Sequence, residues 1–73
     1  MKASELIGRE VLDANARWIG KVSDFEIDMV KGIIGDINVK AGPTKSYTFG
    51  LDKIHKVGER IILTVKEDDL VRW

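Results

Sequence analysis

Asp24, Glu26 and Asp36 are the side chains whose type and spacing most invite a chemical reading. They lie in two strand-like runs, 19–29 and 33–40, which meet at Val30-Lys31-Gly32. Phe25, Ile27 and Met29 alternate with Asp24, Glu26 and Asp28, and Ile33, Ile37 and Val39 alternate with Ile34, Asp36 and Asn38. A period of two is the pattern of a sheet with one face on a core. The expected pairing is Met29 with Ile33, Ile27 with Gly35 and Phe25 with Ile37, around a three-residue loop ending at Gly32 with positive φ. That register sets Glu26 opposite Asp36 and Asp24 opposite Asn38. Like charges so placed are destabilising unless a cation intervenes, and Lys21, Lys40 or Lys45 is the expected source. The functional reading is an acidic patch for a basic partner, or a weak divalent-ion site. The plainer reading is a solvated sheet face, since exposed charge pairs contribute little. A carboxylate-pair hydrolase needs a cleft that gives its two acids different environments, and nothing in the sequence suggests one.

The other reactive types are isolated. His55 is the single histidine and the chain has no cysteine, so neither a triad nor a thiolate metal cage can be assembled. The serines and threonines have no nucleophile-elbow context. The 7 glycines form neither dinucleotide nor P-loop spacing. We expect no catalytic residue, no cofactor and no metal.

The elements that carry these residues are short. Ser4 is expected to cap a single turn, with Leu6 and Ile7 tucked inward and Gly8 ending it. A strand follows at 9–12, then a turn at Asp13-Ala14-Asn15-Ala16. Ile19 and Val22 are three apart, so a bulge at Gly20-Lys21 is needed to turn both inward and bend the strand. Tyr47 and Phe49 alternate in a fourth strand, and a helical turn is expected over Leu51-Asp52-Lys53-Ile54 after Gly50. Gly58-Glu59 reads as a two-residue hairpin turn, followed by a strand over 61–65. Ile54, Ile61, Leu63 and Val65 then share one face, and His55, Val57 and Ile62 the other. Six short strands with tight turns predict an all-β fold. Because 73 residues cannot cover two flat sheets, the expected form is a strongly bent antiparallel sheet closed into a small barrel, with one or two helical turns.

The chain length suits one domain, 1–73, with a tail at 66–73 that docks or dimerises. A core this small, without disulfides, is marginal, and barrel closure or subunit pairing is the usual remedy. The absence of cysteine fits a reducing cytoplasm. Lys+Arg 12 balances Asp+Glu 12, which counts against nucleic acid as a partner. Neither a membrane span nor a signal peptide is visible.

Gly8-Arg9-Glu10-Val11-Leu12-Asp13, then Ile19-Gly20-Lys21-Val22-Ser23-Asp24, then Ile27-Asp28 with a turn ending in Gly32, resemble the PRC-barrel family. Phe49-Gly50-Leu51-Asp52-Lys53-Ile54 and Lys56-Val57-Gly58-Glu59 resemble its second half. The resemblance spans roughly 4–65 and is to the stand-alone, archaeal-type single-domain members. It implies a small β-barrel that binds other proteins, often as a homodimer, with no catalytic motif. Some archaeal members are linked to the cell-division machinery through a membrane-anchoring partner of the division filament. The family also includes the C-terminal domain of a ribosome-maturation factor, so an RNA- or ribosome-associated assembly role is the alternative.

Apolar residues outside the expected core are the candidate contact surface. Trp18, Ile34, Ile62 and Trp73 are the expected protein interface, with Asp24, Glu26 and Asp36 as its charged rim. Lys53, Lys56, Arg60 and Lys66, beside Tyr47 and Phe49, offer a single-strand nucleic-acid reading. The competing reading is that the aromatics fill the core.

Overall fold

A computed structural model describes residues 1–72, without the side chains of Val71 and Arg72. One helical turn, α1 (Ala3–Leu6), leads into β1 (Glu10–Leu12), β2 (Trp18–Asp28), β3 (Ile33–Ala41) and β4 (Lys45–Gly50). A 3-10 turn at Leu51–Lys53 precedes β5 (Ile54–Val57) and β6 (Arg60–Leu63). A second 3-10 turn, Glu67–Asp69, precedes β7 (Val71–Arg72). These strands form one sheet in the order β5-β6-β1-β2-β3-β4-β7.

That order and the length of one connection force the sheet to curl. β4 and β5 stand five places apart, which in a flat sheet would be about 24 Å. Only Leu51–Lys53 separates them, and four residue steps reach at most about 14 Å. The ladder nonetheless ends at β5 and β7, and among the described residues no hydrogen-bonded strand pair joins those edges. The sheet is also mixed, not wholly antiparallel as expected, because β1 pairs with β6 in parallel (Val11 with Ile61). The long excursion through β2, β3 and β4 provides the crossover that a parallel pair requires.

Bulges place the bend. Register shifts along β2 leave Ile19 unpaired between Gly20 and Trp18, and Ser23 unpaired between Val22 and Asp24. Ile19 and Val22 both point into the core as expected, but the irregularities fall at Ile19 and Ser23, beside Gly20-Lys21. Gly20 is required for close approach: a Cβ there would lie 2.5 Å from Lys40 O and 2.9 Å from Val39 Cγ1.

The core is Val11, Ile19, Val22, Ile37, Val39, Tyr47, Phe49, Ile61 and Leu63, with Leu6, Phe25, Ile54, Val65 and Leu70 packed against it. Tyr47 and Phe49 therefore fill the interior. Ile7, expected inside, is exposed, because α1 turns only Leu6 inward. Ser4 lies within α1 and does not cap it; the Lys2 N–H donates to Glu5 Oε2 at its start. The Gly58-Glu59 turn is also wider than expected, since Val57 pairs with Ile61 and His55 is bulged out between Ile54 and Lys56.

The tail folds back onto the sheet. The Ala14 N–H donates to Val65 O (2.9 Å), and β7 adds a seventh strand against Tyr47 and Thr48 of β4.

Gly20→Ala is expected to cost about 1–3 kcal/mol, as overpacking against an immovable backbone does. Urea unfolding measures it, and a shift under about 0.5 kcal/mol, the level of an ordinary surface change, would show that the β2–β3 approach is not constrained.

Candidate functional surface

The acids of the central hairpin meet largely as the sequence implies. Glu26 pairs with Asp36, Asp24 with Asn38 and Phe25 with Ile37. No lysine among the described residues forms an ion pair with them; the ion pairs are Lys53–Asp52 and Arg60–Glu10. A neutral amide takes the bridging place. Asn38 Nδ2 donates to Glu26 Oε1 (3.0 Å), and Thr48 Oγ1 donates to Asn38 Oδ1 (3.0 Å). Asp24 Oδ1 accepts the Phe25 N–H. Among the described residues, no three His, Cys, Asp or Glu side chains gather into a group that could hold a metal.

Beyond Phe25 the hairpin departs from the expected register. A shift between Glu26 and Ile27 pairs Ile27 with Ile34 and Asp28 with Ile33, so Gly35 becomes the extra residue. Ile34 therefore leaves the polar face, where strict alternation put it, and stands beside Ile27 on the side that carries Phe25. Ile27, Met29 and Ile33, expected in the core row, are exposed. The reason is the length of the neighbours. β1 accompanies β2 only as far as Lys21, and β4 accompanies β3 only from Asp36. The end of the hairpin overhangs the sheet.

The tip is locked by Asp28. Its Oδ1 accepts the Val30 and Lys31 N–H groups (both 3.0 Å), and its carbonyl accepts the Gly32 N–H (2.7 Å). Gly32 has φ +68°, the left-handed conformation expected of it, closing a loop of Met29, Val30, Lys31 and Gly32. Val30 is 97% exposed, Met29 84% and Ile27 64%. Sequence reasoning missed this apolar tip, although one signal was present: the central runs are longer than any strand available to flank them.

Two of the expected interface residues are brought together elsewhere. Pairing runs in one row from Lys56 to Ile62, from Ile62 to Leu12, and from Leu12 to Trp18. Their neighbours Val11, Ile19 and Ile61 are fully buried, so this row faces outward. Trp18 is about half exposed, and Leu12 and Ile62 are half-buried. Leu12 and Ile62 floor a shallow depression rimmed by Lys56, Glu59 and Arg60. Arg60 Nε donates to Glu10 Oε2 (3.2 Å) alongside. Ile34 belongs to the overhanging hairpin instead, and Trp73 lies outside the described residues.

Among the described residues Asp13 is the one carboxylate deep in the structure, at 1% exposure. Burial pushes its carboxyl upward. N–H donations from Arg17, Glu67 and Asn15, with the Arg17 charge, outweigh burial and hold it below its ordinary value. Asp13 Oδ1 takes Asn15 and Arg17 (both 2.8 Å), and Oδ2 takes Glu67 (3.0 Å), 54 residues away. The expected turn is thus present, closed as an Asx turn by the Asp13 carboxylate, with Ala16 in the left-handed position. Its second carboxylate oxygen fastens the tail. A carboxylate so saturated is a clamp and is not poised to act as a base.

These features define a small, strongly curled β-sheet domain whose outer surface, not an enclosed cleft, presents its unusual side chains. The PRC-barrel domain model matches residues 1–70, and the chain belongs to that family. No curated protein matches it. No helix among the described residues is long and apolar enough to cross a membrane.

Asp13→Asn is expected to cost about 1.5–3 kcal/mol at neutral pH, the scale of a hydrogen bond to a charged acceptor. Because the folded carboxyl titrates below the ordinary 3.8, its contribution is fully present above that value and is lost as pH falls through the folded value. Wild-type and variant stabilities should therefore converge in acid. Denaturant curves at neutral and acidic pH measure this; a gap independent of pH would contradict the clamp.

Proposed function

We propose that this domain is a non-catalytic protein-interaction adaptor that works in the cytoplasm as a homodimer. The observation that carries the proposal is the outward row of Trp18, Leu12 and Ile62, aligned by register across β2, β1 and β6. An aromatic and two aliphatics left at a folded surface are the usual anchors of a protein contact. Their rim is mixed in sign, with Lys56 and Arg60 beside Glu10 and Glu59. A two-fold interface brings one patch onto itself and requires this kind of self-complementarity. A standard interface takes about 800 Å² from each partner, close to a sixth of the 5017 Å² surface. The dimer therefore uses the outer face of β5, β6 and β1 together, and not the row alone.

The family resemblance extends this reading to the partner. It suggests a link to the cell-division machinery through a membrane-anchoring partner of the division filament, as in some archaeal members. The competing role, in RNA or ribosome assembly, has the even charge balance against it.

Light scattering of the wild type should give twice the 8.2 kDa chain mass, and Ile62→Asp should give a monomer whose far-UV circular dichroism is unchanged. A monomeric wild type would remove the dimer. RNA binding that weakens steeply with added salt would replace the adaptor reading with the assembly-factor one.

A further inference from the structure

We infer that the overhanging β2–β3 hairpin is a second, separate docking site, and that its occupant is a protein segment combining large apolar side chains with flanking Lys or Arg. The inference rests on the adaptor reading and adds the chemistry of the partner.

Three observations lead to it. First, the apolar tip is exposed and preformed. Ile27, Met29, Val30 and Ile33 stand at the surface, while the three hydrogen bonds at Asp28 fix the loop that carries Met29 and Val30. A fixed anchor loses little freedom on binding. Second, the flanks are free of neighbouring strands. Past Val22 on β2 and before Asp36 on β3, the hairpin has no third strand among the described residues, so a partner segment can lie along either flank. Third, the charge is one-sided. Asp24, Glu26 and Asp28 of β2 and Asp36 of β3 line the hairpin leading to the tip, and Lys31 is the lone base between Ser23 and Asn38.

The charge selects the occupant. Two copies of this hairpin would bring eight carboxylates together, which disfavours self-association here and separates the site from the mixed-sign row around Ile62. An anionic lipid surface is repelled by the same acids. A basic, apolar segment matches both the tip and its rim, with the charges acting mainly on rate of encounter and choice of partner.

The test is a selection from a display library of random short peptides against the wild-type protein, with rebinding to variants. Enriched sequences should pair bulky aliphatic or aromatic residues with Lys or Arg, and their affinity should fall as salt is raised. Met29→Asp with Val30→Asp should weaken them at least about tenfold, as removal of interface anchors does. These side chains are almost fully exposed, so folding is not at risk. Glu26→Lys with Asp24→Lys should weaken them too and shift enrichment toward acidic peptides. Peptides lost in Ile62→Asp but retained in the hairpin variants would overturn this inference and leave the adaptor reading standing. No enrichment, or acidic peptides on the wild type, would overturn it as well. So would a wild-type dimer abolished by Val30→Asp, or Val30-dependent binding to anionic phospholipid vesicles.

Discussion

The brevity of the link between β4 and β5 is the constraint on which the rest of this domain depends. Residues Leu51–Lys53 carry the chain from one side of the sheet order to the other, and only a rolled sheet lets so few residues reach. Rolling turns Val11, Ile19, Ile37, Val39, Ile61 and Leu63 toward one another and makes a closed-packed interior from strands of three to eleven residues. It also brings the backbones of β2 and β3 together at Gly20, where no side chain fits.

A rolled sheet whose ladder does not close needs another fastening, and Asp13 supplies it. One carboxylate oxygen organises the turn after β1, while the other holds the tail at Glu67. The buried charge is tolerated because N–H donors satisfy it, and removal of the acceptor would leave those donors unpaired in a poorly hydrated place. With Leu70 against the core and β7 on β4, the tail becomes part of the sheet. Among the described residues the buried carboxylate of Asp13 is taken up by the fold itself, while Trp18, Met29 and Val30 stand on the outside.

Two outward surfaces follow from the unequal strand lengths. Where β1, β2 and β6 run together, register lines up Leu12, Trp18 and Ile62. Where β2 and β3 outrun their neighbours, apolar residues that alternation assigns to the core stand in solvent. The first surface is mixed in charge and the second is acidic. The two surfaces thus differ in charge and lie on different parts of the sheet.

Much of this was legible in the residue pattern. Alternation identified the central hairpin and the inward Ile37, Val39, Tyr47 and Phe49. The three-residue spacing of Ile19 and Val22 demanded a bulge, Gly32 marked a left-handed turn residue, and the order of short motifs matched the family. These features are local, set by side-chain period and by backbone preferences of a few residues. The rest depended on partners distant in sequence. The parallel pairing of β1 with β6, the row from Lys56 to Trp18, the fastening of Glu67 to Asp13 and the overhang of the hairpin each arise from which strands become neighbours and how far they run side by side. Even Ile34 changed faces because the hairpin slipped by one residue at Gly35, where no third strand holds the register. The sequence by itself determined most of the strands and the alternation that turns Ile37, Val39, Tyr47 and Phe49 inward. Only the tertiary structure decided which apolar residues the core could reach, because burial depends on the neighbour that covers a side chain and not on the side chain alone.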